Sequence, residues 1–132
     1  MNIHRSRILI ADPDNDIRQT LQLYFEGYNH EVQTAALAGE VIRLARQWQP
    51  NVILMSAEFS DQNPYQICQS LLEDTLTGHI PIIMMLHKND RQARLEALEV
   101  GVSDIVTKPF DIEELHLRVR AAIRLATLML GI

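Results

Sequence analysis

Asp12 and Asp14 flank a proline, Ser56 stands two residues before Glu58, and Lys108 is followed by Pro109. Carboxylates are hard oxygen ligands that could serve a cation. A lysine beside them could neutralise an anion. A serine hydroxyl is neutral at pH 7 and needs an adjacent base to act as a nucleophile, and the pattern around Ser56 contains none. Other chemistry is sparse. His4, His30, His79, His87 and His116 show no metal-ligand spacing. Cys68, the only cysteine, reads as a small packed residue, and there is no glycine-rich phosphate loop. No nucleophile–base pair is visible, so the chain is not expected to be an enzyme.

These residues can meet only if the fold brings distant segments together. Arg7-Ile8-Leu9-Ile10-Ala11, residues 51–55 and residues 80–86 are short, nearly continuous apolar runs. Runs of this length suit strands covered on both faces. The weaker strand candidates are residues 30–35 and 104–106. Between them lie segments with apolar residues at helical spacing: 14–26, 39–48, 90–100 and 111–130. Trp48 ends the second of these and reads as core. Gly101 stops the segment before it, and Pro50 restarts the chain in extended form. Strand–helix alternation repeated about five times means a parallel sheet with helices on both faces, joined by right-handed crossovers. In such a sheet, sites lie beyond the carboxyl ends of the strands, where the strand order switches. Asp12, Ser56, Leu86 and Lys108 all fall there.

With 132 residues, 47% hydrophobic and 22% charged, the chain reads as one globular domain, 1–132 with its core at about 5–125. A net charge of −5 argues against nonspecific nucleic-acid binding, which needs a cationic face. His4, Arg5 and Arg7 form a small basic start that reads as a solvated strand flank. A lone cysteine fits a reducing compartment, there is no signal-peptide pattern, and no apolar run is long enough for a bilayer. A cytoplasmic protein without membrane contact is expected. The end, Leu125-Ala126-Thr127-Leu128-Met129-Leu130-Gly131-Ile132, stays apolar. It suits the last turns of a helix, a partner surface, or the junction to a longer chain.

Gly101-Val102-Ser103-Asp104-Ile105-Val106-Thr107-Lys108-Pro109-Phe110-Asp111 carries a resemblance, as do Ile8-Leu9-Ile10-Ala11-Asp12, Pro81-Ile82-Ile83-Met84, Glu114-Leu115 and Arg118-Val119-Arg120-Ala121. In order and at these spacings, they resemble the receiver domain of bacterial two-component response regulators. The likeness runs over about residues 5–125. It implies a flavodoxin-like (βα)5 fold, a doubly wound five-stranded parallel sheet, as the periodicity does separately. It also implies phosphoryl transfer from a histidine kinase to an aspartate after the third strand. Two acidic residues after the first strand would hold Mg²⁺. A lysine after the fifth strand would contact the phosphoryl group. A hydroxyl residue ending the fourth strand and an aromatic on the fifth would switch together.

Several of those positions are altered here. Asp12 matches the first acidic residue, but Pro13 stands in place of the second. Ser56 replaces the acceptor aspartate, Leu86 the hydroxyl residue and Ile105 the aromatic, while Lys108 is kept. His87 puts a bulky imidazole at the pocket mouth, where the family usually has a small residue. Mg²⁺ binding is therefore expected to be weak or absent, with Asp12, Asp14 and Glu58 as the weak candidate ligands, and Asp14 serves equally well as a helix cap. Leu86 can donate no hydrogen bond to a phosphoryl oxygen, a loss of about 1.5–3 kcal/mol for a charged acceptor. Lys108 is expected to pair with Asp12.

The reading is a degenerate pseudo-receiver, a response-regulator module that acts by protein–protein interaction without aspartyl phosphorylation and without a cofactor. The resemblance implies a partner or homodimer face on the fourth helix, fifth strand and fifth helix. Arg91, Arg94, Glu96, Glu99, Asp104, Arg118 and Arg120 are the expected face residues. It also points to a C-terminal DNA-binding output domain absent from this chain, with no nucleic-acid contact by this domain itself. Two rivals stand beside it. One is a phosphoryl acceptor using Glu58 or Asp61. The other is a small-ligand sensor whose reused pocket is lined by Ser56, Leu86 and Lys108.

Overall fold

The computed structural model describes residues 5–130. His4 and the terminal Gly131 and Ile132 lie outside them. Five parallel strands form one sheet: β1 (Arg7–Ala11), β2 (Glu31–Ala35), β3 (Val52–Ser56), β4 (Ile82–His87) and β5 (Asp104–Lys108), in the order β2-β1-β3-β4-β5. Five helices alternate with them: α1 (Asn15–Gly27), α2 (Val41–Trp48), α3 (Pro64–Glu73), α4 (Arg91–Val100) and α5 (Ile112–Leu130). The alternation predicts this parallel sheet with helices on both faces, and the strand order is that of the flavodoxin-like fold the resemblance implies.

The central strands are apolar throughout because both faces are covered. Leu9, Ile53, Met55, Met84 and Leu86 pack with α2, α3 and α4. Ile8, Ile10, Leu54, Ile83 and Met85 face the other way, onto Leu21 and Phe25 of α1 and Leu115 and Val119 of α5. Successive strand side chains point to opposite faces, so one unbroken apolar run feeds two cores. The two faint strands are the sheet edges, β2 and β5, where one flank meets no neighbour and polar residues are tolerated.

Boundaries shift by one to three residues from the sequence expectation, and two of the shifts matter. β5 runs to Lys108 rather than ending at Val106, because its backbone pairs with β4 through Leu86–Thr107 and His87–Lys108. β3 likewise runs on through Ser56, which pairs with Met85. Both chemical side chains therefore sit on rigid strand ends rather than on loops. A 3₁₀ turn, Ala38–Glu40, precedes α2. Trp48 packs against the core but is only half-buried at the end of α2, with the Arg7 guanidinium 5.8 Å from its ring centroid. Cys68 on α3 is buried, and burial pushes its thiol up to about 12, so it packs and does not react.

Local chemistry sets the helix starts. Asp14 caps α1 by accepting from the amides of Asp16 and Ile17 at 2.8 and 3.3 Å. Asn63 caps α3 ahead of Pro64, and Asp90 caps α4. Gly101 ends α4 at φ +93°, a left-handed position that suits glycine. Removing the α1 cap with Asp14→Ala should cost about 1 kcal/mol in urea unfolding. An unchanged midpoint would show that the capping bonds are replaced by water. No helix among the described residues is long and apolar enough to cross a membrane.

Candidate functional site

β1 and β3 lie side by side, so Asp12, just past β1, and Ser56, at the end of β3, are near neighbours. Lys108 reaches them from the end of β5. Its Nζ lies 2.7 Å from Asp12 Oδ2, 3.1 Å from Ser56 Oγ and 3.2 Å from Glu58 Oε1. An ammonium has three N–H donors, and these three oxygens can take all of them. The expected Lys108–Asp12 pair is formed.

Asp12 and Ser56 are fully buried, the Lys108 side chain is 11% exposed and that of Glu58 is 42% exposed. The Asp12–Lys108 pair therefore lies in a low-dielectric setting, while Glu58 adds a weaker, partly screened attraction from the rim. The remaining valences are filled locally. Asp12 Oδ1 accepts from the Asp14 amide at 2.9 Å, and Ser56 Oγ accepts from the Glu58 amide at 3.1 Å. Among the described residues no buried side-chain polar atom lacks a partner. Ser56 Oγ thus receives two hydrogen bonds, which lowers its electron density and makes it a worse nucleophile than a free serine.

The family resemblance implies Mg²⁺, so the donor set is tested against that ion. Octahedral coordination at about 2.1 Å needs carboxylate oxygens turned toward one point. Here Asp12 directs one oxygen to an ammonium and the other to an amide. Asp14 is turned into its helix cap, Pro13 offers no donor, and Glu58 faces the same ammonium. No group of three or more His, Cys, Asp or Glu side chains among the described residues could hold a metal. In this arrangement the residues do not turn two carboxylates toward one point, and they fit the ion poorly.

Other candidate residues are placed elsewhere. Leu86 is fully buried and packs toward α4, in the same core as half-buried Ile105. His87 is exposed, its Nδ1 3.0 Å from the Lys88 carbonyl oxygen, at the lip of a cleft of about 470 Å³. That cleft is lined by Lys108, Glu58, His87 and Phe110, with Asp16 and Ile17 of α1 among the rest. Ser56 and Leu86 do not line it, so the cavity expected of a ligand sensor lacks two of its three walls. Asp61 is engaged away from the cluster. Its two oxygens accept from the Ala38 and Gly39 amides, both at 3.1 Å. Some desolvation pushes its carboxyl up, but these amide bonds outweigh it and hold the carboxyl below the usual range.

The expected interaction face divides. Arg118 Nη1 on α5 donates to both carboxylate oxygens of Asp104 on β5, at 2.9 and 3.1 Å, and its Nη2 donates to Glu114. The bonds to Asp104, then to Glu114, push the guanidinium up. Arg94 on α4 lines the same hollow as Arg118 and Glu114, and exposed Arg91 lies one turn before it. Glu96 and Glu99 instead border a groove shared with Gln69 and Glu73 of α3. Helix rotation is the reason: they lie on the flank of α4 opposite the β5 side. Burial first, and then Glu96, push the Tyr65 hydroxyl of α3 up to about 12. Arg120 faces Ser6 and His30 across a third groove. Arg18 was not singled out in the sequence, and Glu114 was named there only for the resemblance. Arg18 donates to the Asp12 carbonyl oxygen at 2.7 Å, and Glu114 extends the Arg118 pair. Each sits at helical spacing from a recognised residue, which is the signal that could have found them.

A family profile described as the response regulator receiver domain matches residues 8–120. The "DNA-binding dual master transcriptional regulator RpaA" of Synechocystis sp. is 34% identical over 118 residues, covering 89% of this chain and 49% of that protein. The "Probable transcriptional regulator ycf27" of Cyanophora paradoxa is 32% identical over 124 residues, 94% of this chain and 51% of that one. The chain spans about half the length of these curated relatives. Among solved structures, a two-component response regulator from Clostridium difficile superposes with TM-score 0.82 at 28% identity, covering 91% of this chain and 97% of that one. A CheY-like receiver domain protein from Methanospirillum hungatei shares the fold at TM-score 0.87.

Proposed function

This chain belongs to the response regulator receiver domain family, and from that premise we propose that it is a receiver locked by Lys108, acting by docking rather than by aspartyl phosphorylation. One observation carries the reading: the Lys108 ammonium is held at once by Asp12, Ser56 and Glu58. A phosphoryl acceptor at this place must present a free nucleophile beside a cation site. Here the nucleophile is a doubly hydrogen-bonded hydroxyl, and the lysine occupies the carboxylate that would face a metal. Leu86 and Ile105 belong to one apolar core and carry no polar side-chain atom, so neither can follow a charge arriving in the pocket.

Docking would use the flank of α4, β5 and α5. Arg91, Arg94, Asp104 and Arg118 supply mixed charge there, suited to specificity in a paired interface. Leu95 and Leu98 on the exposed side of α4 are 42% and 62% exposed and supply apolar surface. The partner would be a second copy or an output domain. Relatives twice this length are named transcriptional regulators, which supports an output domain in a longer form and leaves DNA contact to that part. The chain itself would be one cytoplasmic domain without catalytic activity or a bound cofactor.

The test is intact mass after incubation with Mg²⁺ and a small acyl-phosphate donor, with a conventional receiver treated alongside. No added phosphoryl mass is expected while the control is labelled. A stoichiometric adduct would overturn the reading, and mapping it to Glu58 would turn the rival acceptor into the answer.

A further inference from the structure

The aromatic cluster between α1 and α5 is used by none of the chemistry above. His116 of α5 sits among rings from two other elements. Its centroid lies 4.7 Å from Tyr28, 5.3 Å from Phe25 and 5.6 Å from Tyr24 of α1, and 5.5 Å from His30 at the entry to β2. Most of these contacts are edge-on, with interplanar angles of 83–86° for Phe25, Tyr24 and His30. His30 also touches Phe25 and is only 8% exposed. Its Nδ1 accepts the Ser6 amide at 3.0 Å, just before β1 begins.

We propose that this cluster is an acid-sensitive latch: protonation of His116 and His30 loosens α5 from α1 and from the β1–β2 end of the sheet. Two titratable rings touch at one point where three elements meet. A proton added to Nδ1 of His30 removes the acceptor that the Ser6 amide uses. A proton on His116 places a charge in a ring cluster whose second imidazole would be charged as well. The charged groups around the pair add to this. Arg120 acts on His116 from the same helix, and Arg124 lines the groove that His30 closes. On the α1 side the nearest titratable groups are Tyr28 and then Tyr24, and the Tyr24 hydroxyl is pushed up first by burial, then by Tyr28, with the carboxylates of Glu113 and Asp111 acting on it more weakly. An imidazolium over tyrosine faces gains some cation–π attraction. With a second imidazolium 5.5 Å away and Arg120 beside it, that gain is outweighed.

Burial first, and then Arg120, hold the His116 imidazole below its ordinary value of about 6.5. The sign follows. The unfolded chain takes up this proton before the folded one does. The stability supplied by neutral His116 is therefore complete above about pH 6.5 and is lost as pH falls below it. The consequence for docking, since α5 belongs to the proposed face, rests on the reading above. The latch itself does not, and its test reads the chain alone.

Amide hydrogen exchange at pH 7.5 and 5.0, corrected for intrinsic rates, is the measurement, with the amides of β3 and β4 as internal reference. The first half of α5, the end of α1 and the β1–β2 start should open several-fold more readily at the lower pH, while the reference amides do not. His116→Phe keeps a ring but cannot charge. His30→Asn keeps an acceptor for Ser6 but cannot charge either. Each should abolish most of the acid-induced opening. Uniform acceleration across the sheet, or the same acceleration in both variants, would overturn the latch. If a variant does not fold, the wild-type ring titration followed by NMR decides. A His116 midpoint clearly below 6.5 together with local opening supports the latch, and a midpoint at or above 6.5 overturns it.

Discussion

Lys108→Met should destabilise the fold by about 3 kcal/mol, the largest loss expected from any single surface-accessible residue here. Removing one member of a buried ion pair typically costs 3–5 kcal/mol, because the other charge stays buried without a partner. Asp12 is that other charge, fully buried, with one oxygen on Nζ at 2.7 Å. The loss falls at the lower end of the range because Asp12 keeps its bond from the Asp14 amide and because 11% of the lysine side chain already meets water. Methionine preserves most of the stem, so lost packing contributes little. The controlling variant is Asp12→Asn combined with Lys108→Met. With both charges gone nothing ionised is stranded, and most of the lost stability should return, giving a coupling energy above 1 kcal/mol. Urea unfolding at unchanged m-value measures both. A Lys108→Met cost below about 0.5 kcal/mol would place the ammonium in solvent and remove the central support for a locked pocket.

Most of that site can be located in the sequence, although its wiring cannot. Apolar runs at Ile8 and Val52 announce buried strands, and the strand ends then mark where Asp12, Ser56 and Lys108 must converge. Two cores on opposite faces explain why β1, β3 and β4 read so clearly, and edge exposure explains why β2 and β5 do not. Pairing across the sheet is a tertiary property. It carries β5 to Lys108 and β3 to Ser56, and no local pattern near either residue records it. The bond from Arg18 to the Asp12 carbonyl depends on where α1 lies over β1, again beyond local reach. The expected face residues divide between two flanks for a simpler reason. Glu96 and Glu99 share a helix with Arg94, but a rotation of roughly 100° per residue puts them on another flank. Trp48 reads as core and does pack against it, but at the end of α2 it also meets Arg7 at the rim, a contact no local pattern records.

Ser56→Asp is the most informative reversal of the pocket, and its expected effect has two opposite halves. The position is fully buried at the end of β3, and Ser56 Oγ already stands 3.1 Å from Lys108 Nζ. An aspartate there would bring a third carboxylate to one ammonium, beside Asp12. Without divalent cation the like charges should cost about 1–3 kcal/mol, the usual penalty for a buried polar group that is incompletely paired. Magnesium should then recover stability by mass action, about 2.7 kcal/mol at a concentration one hundred times its dissociation constant. Thermal melts of wild type and variant across a Mg²⁺ titration separate the halves: a flat response in the wild type, and a low starting Tm that rises in the variant. The acyl-phosphate assay should add phosphoryl mass to the variant alone. It should do so slowly, since Leu86 still offers no hydrogen bond and Pro13 no second carboxylate. If the variant gains neither the Mg²⁺ response nor the adduct, the serine alone is not what disables this receiver, and the block lies with the other altered positions, Pro13, Leu86 and Ile105. If the wild type responds to Mg²⁺ as strongly as the variant, Lys108 does not hold the pocket closed.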